Sequence, residues 1–506
     1  MSGCHEEATH ASRNLSLQSF SDLKVDEYAL NAQLFKESLG RICRSDTTAF
    51  FATVHTKQYY ESGRPLLWVS YDGVDSRADS LLAVLRRQLP AMGFSLKAFG
   101  VERIADDMER LRHLRFDRKN PVSTVAARIE YNLTKAYMRY VVGQRFGFVN
   151  PGYVLNHYDA SAIDSTGKTI AYRRLFDIKI ERPGQAFFDQ ALHQMATADG
   201  LCRYMESLLP TDSLYLRLLQ LLPSSSGVRR KKLLVNMERC RWHDLQTVTS
   251  DDKYVVVNIP AFHLWAVSPD TVVDMRVACG AVKTKTPLLS SKITHMEVNP
   301  EWVIPMSIVS SDVARHAGDT SYFARHRYYI VERKSGSRIS PRHVTTNMLL
   351  SGNYRVVQQG GAGNSLGRII FRFPNNFSVF LHDTSSPGAF GRDNRGVSHG
   401  CVRVQRPFDL AVFLMEKDPD EWLLDKLRIS MGMKPETEEG QSFLDGLDPA
   451  APAPRLVKSL QLSTRVPLFI KYNTIYPTPD GQLQYYPDVY GYDVALGEAL
   501  KPLIDQ

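Results

Sequence analysis

The sequence predicts an α+β protein: a helical first half, a β-rich second half, and a small helical segment inserted into the latter. Three observations carry this. Apolar residues recur at helical spacing from residue 22 to about 249, β-branched runs separated by turn residues take over at Tyr254, and helical spacing returns briefly within 305–356. A chain of 506 residues is too long for one compact core, so more than one domain is expected. The expected divisions are a polar, Ser-rich disordered tether over 1–21, a helical unit over 22–249 and a mixed unit over 250–506. Within the last lie the inserted segment at about 305–356 and a loop at about 435–455.

Taken in order, Asp75 or Ser76 can cap a helix whose apolar positions Leu81, Leu82, Val84, Leu85 and Leu89 crowd one side, with Pro90 as its stop. A second helix is predicted over 122–142, where Ile129, Leu133, Ala136, Tyr137 and Tyr140 fall at helical spacing. Helices are also expected at 185–208 and 213–222. The Ser-, Gly- and Lys/Arg-rich stretch at 224–232 reads as a solvated connection.

Beyond Tyr254, strands are predicted at 254–259, 263–267 and 272–282. The insert carries helical signals at 307–315 and 341–350. Strands at 369–373 and 379–381 follow it, then a helix at 407–414. The acidic, Pro- and Ala-rich stretch at 435–455 reads as a loop, and strand signals return at 466–476.

Composition narrows the class without choosing a function. With 43% hydrophobic and 23% charged residues the chain is an ordinary globular one. The net charge of +8 favours an acidic or polyanionic neighbourhood. The basic residues are scattered and no nucleic-acid motif occurs, so nucleic acid is not an expected partner. Anionic cell-wall polymer or a membrane surface suits the charge equally. The cysteines Cys4, Cys43, Cys202, Cys240, Cys279 and Cys401 are widely spaced, so a disulfide framework is not expected. No run of eighteen apolar residues could span a bilayer. Met1-Ser2-Gly3-Cys4 looks like the end of a bacterial lipoprotein cleavage site, which makes a lipid anchor at Cys4 an expectation; a chance Ser-Gly-Cys is the alternative.

The chemistry concentrates at 380–404. His382 ends an apolar run, fifteen loop-forming residues follow, and then comes Ser398-His399-Gly400-Cys401. A cysteine beside a glycine, with a distant histidine delivered by a strand, is the material of a thiolate nucleophile, because a nearby imidazole can take the thiol proton. A buried thiol beside a solvated histidine is the bland alternative. His382, Asp383, His399 and Cys401 could offer a mixed metal set, but the paired short spacings of a zinc site are missing.

This spacing, with Leu381 ahead of the histidine and Val402-Arg403-Val404 after the cysteine, resembles the L,D-transpeptidases with a YkuD-type catalytic domain, in their large YcbB-like branch. Tyr59-Tyr60-Glu61, Leu67-Trp68-Val69, and Val235 to Arg239 with Trp242 are similar to the helical scaffold of that branch. No peptidoglycan-binding repeat is evident, and 145–180 departs from the pattern. Asn258 to Phe262, Thr286-Pro287-Leu288, Val298-Asn299-Pro300-Glu301-Trp302, Asn364-Ser365-Leu366-Gly367 and Asp488-Val489-Tyr490-Gly491 extend the likeness. In that branch the insert is a capping subdomain over the active site.

The resemblance implies a peptidoglycan L,D-transpeptidase. Cys401 is the expected nucleophile and His382 the general base. The Asp383 carbonyl is expected to orient His382, since the side chain of a strand neighbour points to the other face. The Gly400 and Cys401 N–H groups are expected at the oxyanion, a contribution of about 3–4 kcal/mol per donor. Ser398, His399, Arg403, Asn364, Gly367 and Trp302 are candidate substrate-binding residues; Ser398 is also expected to brace the loop, and a surface cation is the alternative for Arg403. The implied reaction releases D-Ala from a tetrapeptide stem, forms a thioester and passes the acyl group to an amine of a second stem. Stem peptides as donor and acceptor are the expected partners, carbapenem-type β-lactams the expected inhibitors, and the bacterial periplasm the expected location. No metal or cofactor is expected. An L,D-carboxypeptidase, a protein-to-wall attachment enzyme and a non-catalytic wall-binding protein are the alternatives.

Overall fold

The protein is described by a computed structural model that covers residues 25–505 apart from 49, 71, 416–418 and 449–453. The expected tether at 1–21 and the anchor at Cys4 lie outside these residues. The first half is helical: α1 (Ala32–Ser45), α2 (Phe51–Glu61), α3 (Arg77–Ala91), α4 (Val101–Arg112), α5 (Val122–Phe146), α6 (Pro151–Asn156), α7 (Gln185–Gln194), α8 (Ala198–Ser207), α9 (Ser213–Leu221) and α10 (Gly227–Arg239). Two hairpins interrupt them, β1 (Val69–Ser70) with β2 (Gly73–Val74), and β3 (Ala160–Ile163) with β4 (Thr169–Tyr172).

Helix α5 is the axis of this half. It is apolar nearly all round, because α1, α2, α3 and α4 all pack on it. Among its buried polar residues, Glu130 is fully buried and well used. The carboxylate accepts the N–H groups of Leu67, Trp68 and Val69 at 2.6–2.9 Å and the Tyr60 hydroxyl at 2.8 Å. The Trp68 indole and the Tyr60 hydroxyl meet on Thr134 one turn later. The aromatic pairs singled out in the sequence thus converge on one buried carboxylate.

Several boundaries differ from expectation. Asp75, rather than Ser76, accepts the Arg77 N–H at the start of α3, and the helix runs one residue past Pro90. The stretch 185–208 is two helices, because the Thr197 hydroxyl caps α8 and turns the chain. The basic run at 224–232 is not a connection: it opens α10, whose buried positions begin only at Leu233. The 145–180 region is α6 and the β3–β4 hairpin, after which 175–180 is bridged to the second half at Phe176–Leu288 and to the segment leading into it at Ile180–Asp244.

The second half is built on β5 (Tyr254–Asn258), β6 (His263–Val267), β7 (Val272–Gly280), β8 (Leu289–Val298), then, beyond an insert, β13 (Ile369–Arg372), β14 (Leu381–His382), β15 (Gly396–Ser398), β16 (Val402–Val404) and β17 (Ser459–Lys471). The order is β15-β7-β16-β14-β13-β8-β17-β5-β6, and β6 also pairs with β7, so the strands close on themselves. Pairing is antiparallel except for β14–β16, β15–β7 and β17–β5. The enclosed face is apolar, including Val255, Val257, Ile293, Phe371, Leu381, Val402 and Leu468.

The insert is not purely helical. Short helices α11 (Met306–Ser311), α12 (Thr320–Arg325) and α13 (Thr346–Leu350) accompany a separate four-stranded sheet. That sheet is formed by β9 (Trp302–Val303), β10 (Tyr328–Glu332), β11 (Arg338–Ile339) and β12 (Tyr354–Gln358), around its own apolar cluster. The runs Tyr328–Glu332 and Tyr354–Gln358 are rich in β-branched and aromatic residues, a signal that the helical pattern on either side masks. Three further helices follow: α14 (Pro407–Leu414), α15 (Glu421–Met431) and α16 (Glu438–Asp445). The last, capped by Thr437, replaces part of the expected loop at 435–455.

The chain ends with the hairpin β18 (Ile475–Pro477) and β19 (Leu483–Tyr485) and helix α17 (Tyr492–Leu500). This helix returns to the first half, where Leu496, Leu500 and Leu503 join the helical core. The division at 249/250 therefore does not hold for the last residues. The junction is polar. Asn236 of α10 accepts the Thr474 and Ile475 N–H groups, Thr474 donates to Asp493, and Arg239 pairs with Asp493 at 2.7 Å. Cys43, Cys240, Cys279 and Cys401 are free thiols, and no helix among the described residues is long and apolar enough to cross a membrane.

Replacing Glu130 strands three buried N–H groups at about 1–3 kcal/mol each. Glu130→Leu is expected to lower stability by at least about 3 kcal/mol, read as a lower urea midpoint, and Glu130→Gln by less.

Candidate active site

The pairing of β14 with β16 decides which side chains meet. Leu381 lies opposite Val402 and His382 opposite Arg403, and the Val402 N–H donates to the Phe380 carbonyl at 2.9 Å. Leu381, Val402 and Val404 point into the apolar core with no exposure. By strand alternation Phe380, His382, Cys401 and Arg403 share the opposite face. Continuing the register by one residue sets Phe380 beside Cys401, which makes Cys401 and His382 diagonal neighbours on that face.

His382 is 4% exposed, and its Nδ1 lies 2.5 Å from the Asp383 carbonyl oxygen. Burial holds the imidazole down at about 4; the Arg403 charge pushes the same way, and the carbonyls of Asp383 and Leu366 oppose it. The ring is neutral near pH 7, and donation from Nδ1 to a carbonyl leaves Nε2 with the lone pair. Cys401 is half-buried, with Sγ 4.0 Å from the Ser378 carbonyl. Burial pushes its thiol up, against the Phe380 N–H and the charges of Arg403 and Arg372. The resting arrangement is therefore a neutral thiol beside a neutral imidazole, ready for general-base activation.

The Asp383 side chain has its own task. Its carboxylate accepts the Arg368 N–H at 2.7 Å and the Thr384 N–H at 2.6 Å, while its own N–H donates to the Ile369 carbonyl. Gly367 lies against it with φ +67°, and a Cβ there would come within 2.4 Å of the carboxyl carbon. Glycine is required at this place both by backbone and by space. Asn364 is completely buried. Its amide donates to the carbonyls of Gln358 and Gln359 and its oxygen accepts the Leu366 N–H at 2.7 Å. Asn364 and Gly367, expected to contact substrate, thus build the turn that backs Asp383.

The nucleophile loop is similarly braced. The Ser398 hydroxyl donates to the Cys401 carbonyl at 2.6 Å and accepts the Gly400 N–H at 3.1 Å. The Gly400 N–H, expected at the oxyanion, is occupied in this arrangement. Gly400 has φ +117°, a conformation that side chains disfavour. His399 is exposed beside it. Arg403 is half-buried, and its Nε has no hydrogen-bond partner. Trp302 sits in β9 and packs on the apolar cluster of the insert rather than with Cys401. Among the described residues no group of three His, Cys, Asp or Glu side chains is gathered as metal ligands.

Other supporting residues carried no sequence signal of their role. Thr284 donates to the Ser398 carbonyl, and Thr286 accepts the Gly280 N–H and donates to the Gly400 carbonyl at 2.8 Å. The Tyr490 hydroxyl donates to the Gly280 carbonyl, and Lys285 pairs with Asp159 of the helical half at 2.6 Å. Thr286 and Tyr490 fell within stretches that resemble the family, but only the fold shows that both hold the cysteine loop.

Two outcomes follow from this geometry. Since His382 keeps its base form down to about 4, the acid limb of kcat/KM is expected near pH 4 rather than near the 6.5 of free imidazole. Asp383→Ala keeps the carbonyl but frees the turn behind it. It is expected to slow acylation of Cys401 by roughly 10- to 100-fold with the fold intact, as small misplacements of reacting groups do.

The family model of the L,D-transpeptidase catalytic domain matches residues 252–421, which contain His382 and Cys401, and that of the Scaffold domain matches residues 55–222. A Haemophilus influenzae protein described as "Putative L,D-transpeptidase" is 26% identical over 300 residues, 58% of this chain and 55% of that protein. The matched region thus spans little more than half the length of this relative. Among solved structures, that of the Ldtfm-avibactam carbamoyl enzyme is 14% identical, covering 35% of this chain and 48% of that one, at a TM-score of 0.20. The chain thus carries an L,D-transpeptidase catalytic domain beside a Scaffold domain.

Proposed function

We propose that this protein is a peptidoglycan L,D-transpeptidase of the bacterial envelope that forms 3→3 cross-links through a thioester on Cys401. The observation that carries the reading is the placement of Cys401 and a neutral His382 on one face of paired strands, with Nδ1 directed to the Asp383 carbonyl. His382 Nε2 takes the thiol proton as Sγ attacks the carbonyl between the third and fourth stem residues. The C–N bond breaks, D-Ala leaves as the amine with the proton returned by His382, and the acyl group stays on sulfur. An amine of a second stem then attacks the thioester, losing a proton to His382 and regenerating the thiol.

The Cys401 N–H supports the oxyanion, since the Gly400 N–H is engaged by Ser398. The unpartnered Nε of Arg403 suits a substrate carboxylate, and exposed His399 flanks the entry. The 302–358 unit acts as a lid that excludes water and so favours an amine acceptor. Periplasmic location, a lipid anchor at Cys4 and acylation by carbapenem-type β-lactams belong to the same reading.

The test is mass spectrometry of products from purified disaccharide-tetrapeptide, with wild type and Cys401→Ala. Cysteine-dependent dimers lacking one D-Ala are expected. Tripeptide alone would instead make the protein an L,D-carboxypeptidase. No product, together with a thiol that a carbapenem leaves unmodified, would favour a wall-binding role.

A further inference from the structure

A cavity of about 590 Å³ in the helical half is not used by the site above. No residue between Tyr254 and Val404 lines it. Its walls are α2, α5, the turn at 147–151, the segment 180–183 and Ala499 of α17. The lining is mainly apolar, with Val142, Phe146, Phe148 and Val154 among it, and Phe51, Val54 and Tyr153 stand exposed beside it. A volume of this size lies in the range of small-molecule sites.

One charge breaks the apolar wall. Arg139 of α5 is only 9% exposed. One guanidinium nitrogen donates to the Ala98 carbonyl at 2.8 Å, and the group sits 4.5 Å from the Phe50 ring centre and 5.3 Å from that of Phe99. Its Nε has no hydrogen-bond partner, and among the described residues no carboxylate pairs with it. Burial draws its pKa down to about 10, opposed by the charge of Asp46, which is itself paired with Lys135. By contrast, Glu181, the acidic residue of the lining, is already paired with Arg145. Arg182 adds a second cation to the lining. A buried cation lacking an anion is costly, and a ligand carboxylate would supply the missing partner.

We propose that this cavity binds a single-chain lipid carboxylate, its hydrocarbon tail against α2, α5 and α17 and its head on Arg139. The tail would bury against the apolar lining, and the head would form a charge-assisted hydrogen bond in a dry setting. Phosphate headgroups are the other occupants that the same experiment separates.

The test uses the full chain and calorimetric titration with dodecanoate, dodecanol, dodecyl phosphate and dodecyltrimethylammonium, all below their micellar concentrations. Dodecanoate is expected to bind one per chain, at least about tenfold more tightly than dodecanol, with the ammonium weakest. Arg139→Met keeps much of the stem against the two rings and is expected to bring dodecanoate to the affinity of dodecanol. Val54→Asp, at an exposed position, is expected to weaken dodecanoate with melting temperature unchanged, which keeps the proposal testable should Arg139→Met fail to fold. Cys401→Ala is expected to bind as wild type, so the result is independent of the proposed reaction. Equal affinity for dodecanoate and dodecanol, tighter binding of the phosphate, indifference to Val54→Asp, or no saturable binding would each overturn the proposal.

Discussion

Two rungs of a parallel ladder, Leu381 against Val402 and His382 against Arg403, set the chemistry of this protein. The interior side of those rungs is fully buried hydrocarbon, so a slip of one residue would drive His382 into the core and turn Leu381 outward. The apolar core thereby fixes the positions of a cysteine and a histidine separated by eighteen intervening residues. Parallel pairing matters as well. It lets two consecutive segments arrive at the site in the same direction, with the 383–397 loop free to travel around between them.

Around this ladder the backbone of each catalytic segment is held by groups from elsewhere. Asp383 carries two functions on different atoms: its carbonyl orients His382, and its carboxylate ties down the Gly367–Arg368 turn. The cysteine loop hangs on Ser398, Thr284 and Thr286. Behind Thr286 stand Tyr490 and the Lys285–Asp159 pair, which reach the C-terminal segment and the helical half. The helical half is thus part of the support of the Cys401 loop, and α17, returning to its core, fastens the two halves a second time.

The same burial acts in opposite directions on the two reactive groups. It raises the thiol and lowers the imidazole, because in each case the charged form loses hydration. A neutral pair of this kind differs from a resting thiolate–imidazolium pair. In the proposed reaction the thiol stays protonated until a substrate carbonyl is in place, and proton transfer accompanies attack.

The sequence alone was enough for the two halves, since helical spacing in α5 and β-branched runs after Tyr254 are local patterns with local causes. It also singled out His382 and Cys401 as candidates, by their spacing and neighbours, and the fold sets both on one face of paired strands. Short-range signals failed where tertiary context outweighs them. The sheet of the insert consists of strands of two to five residues flanked by helical turns, and α10 begins in a basic run whose apolar face appears only once Leu233 packs. Asn364, Gly367 and Gly400 carried family signals, but the atoms they use are set by hydrogen bonds and close contacts that spacing does not encode. The roles of Thr284, Thr286, Tyr490 and Asp159 lay beyond the sequence for the same reason. Each acts on a loop more than a hundred residues away in the chain, or through a residue that does, and only the closed sheet and the returning C-terminal helix bring them together.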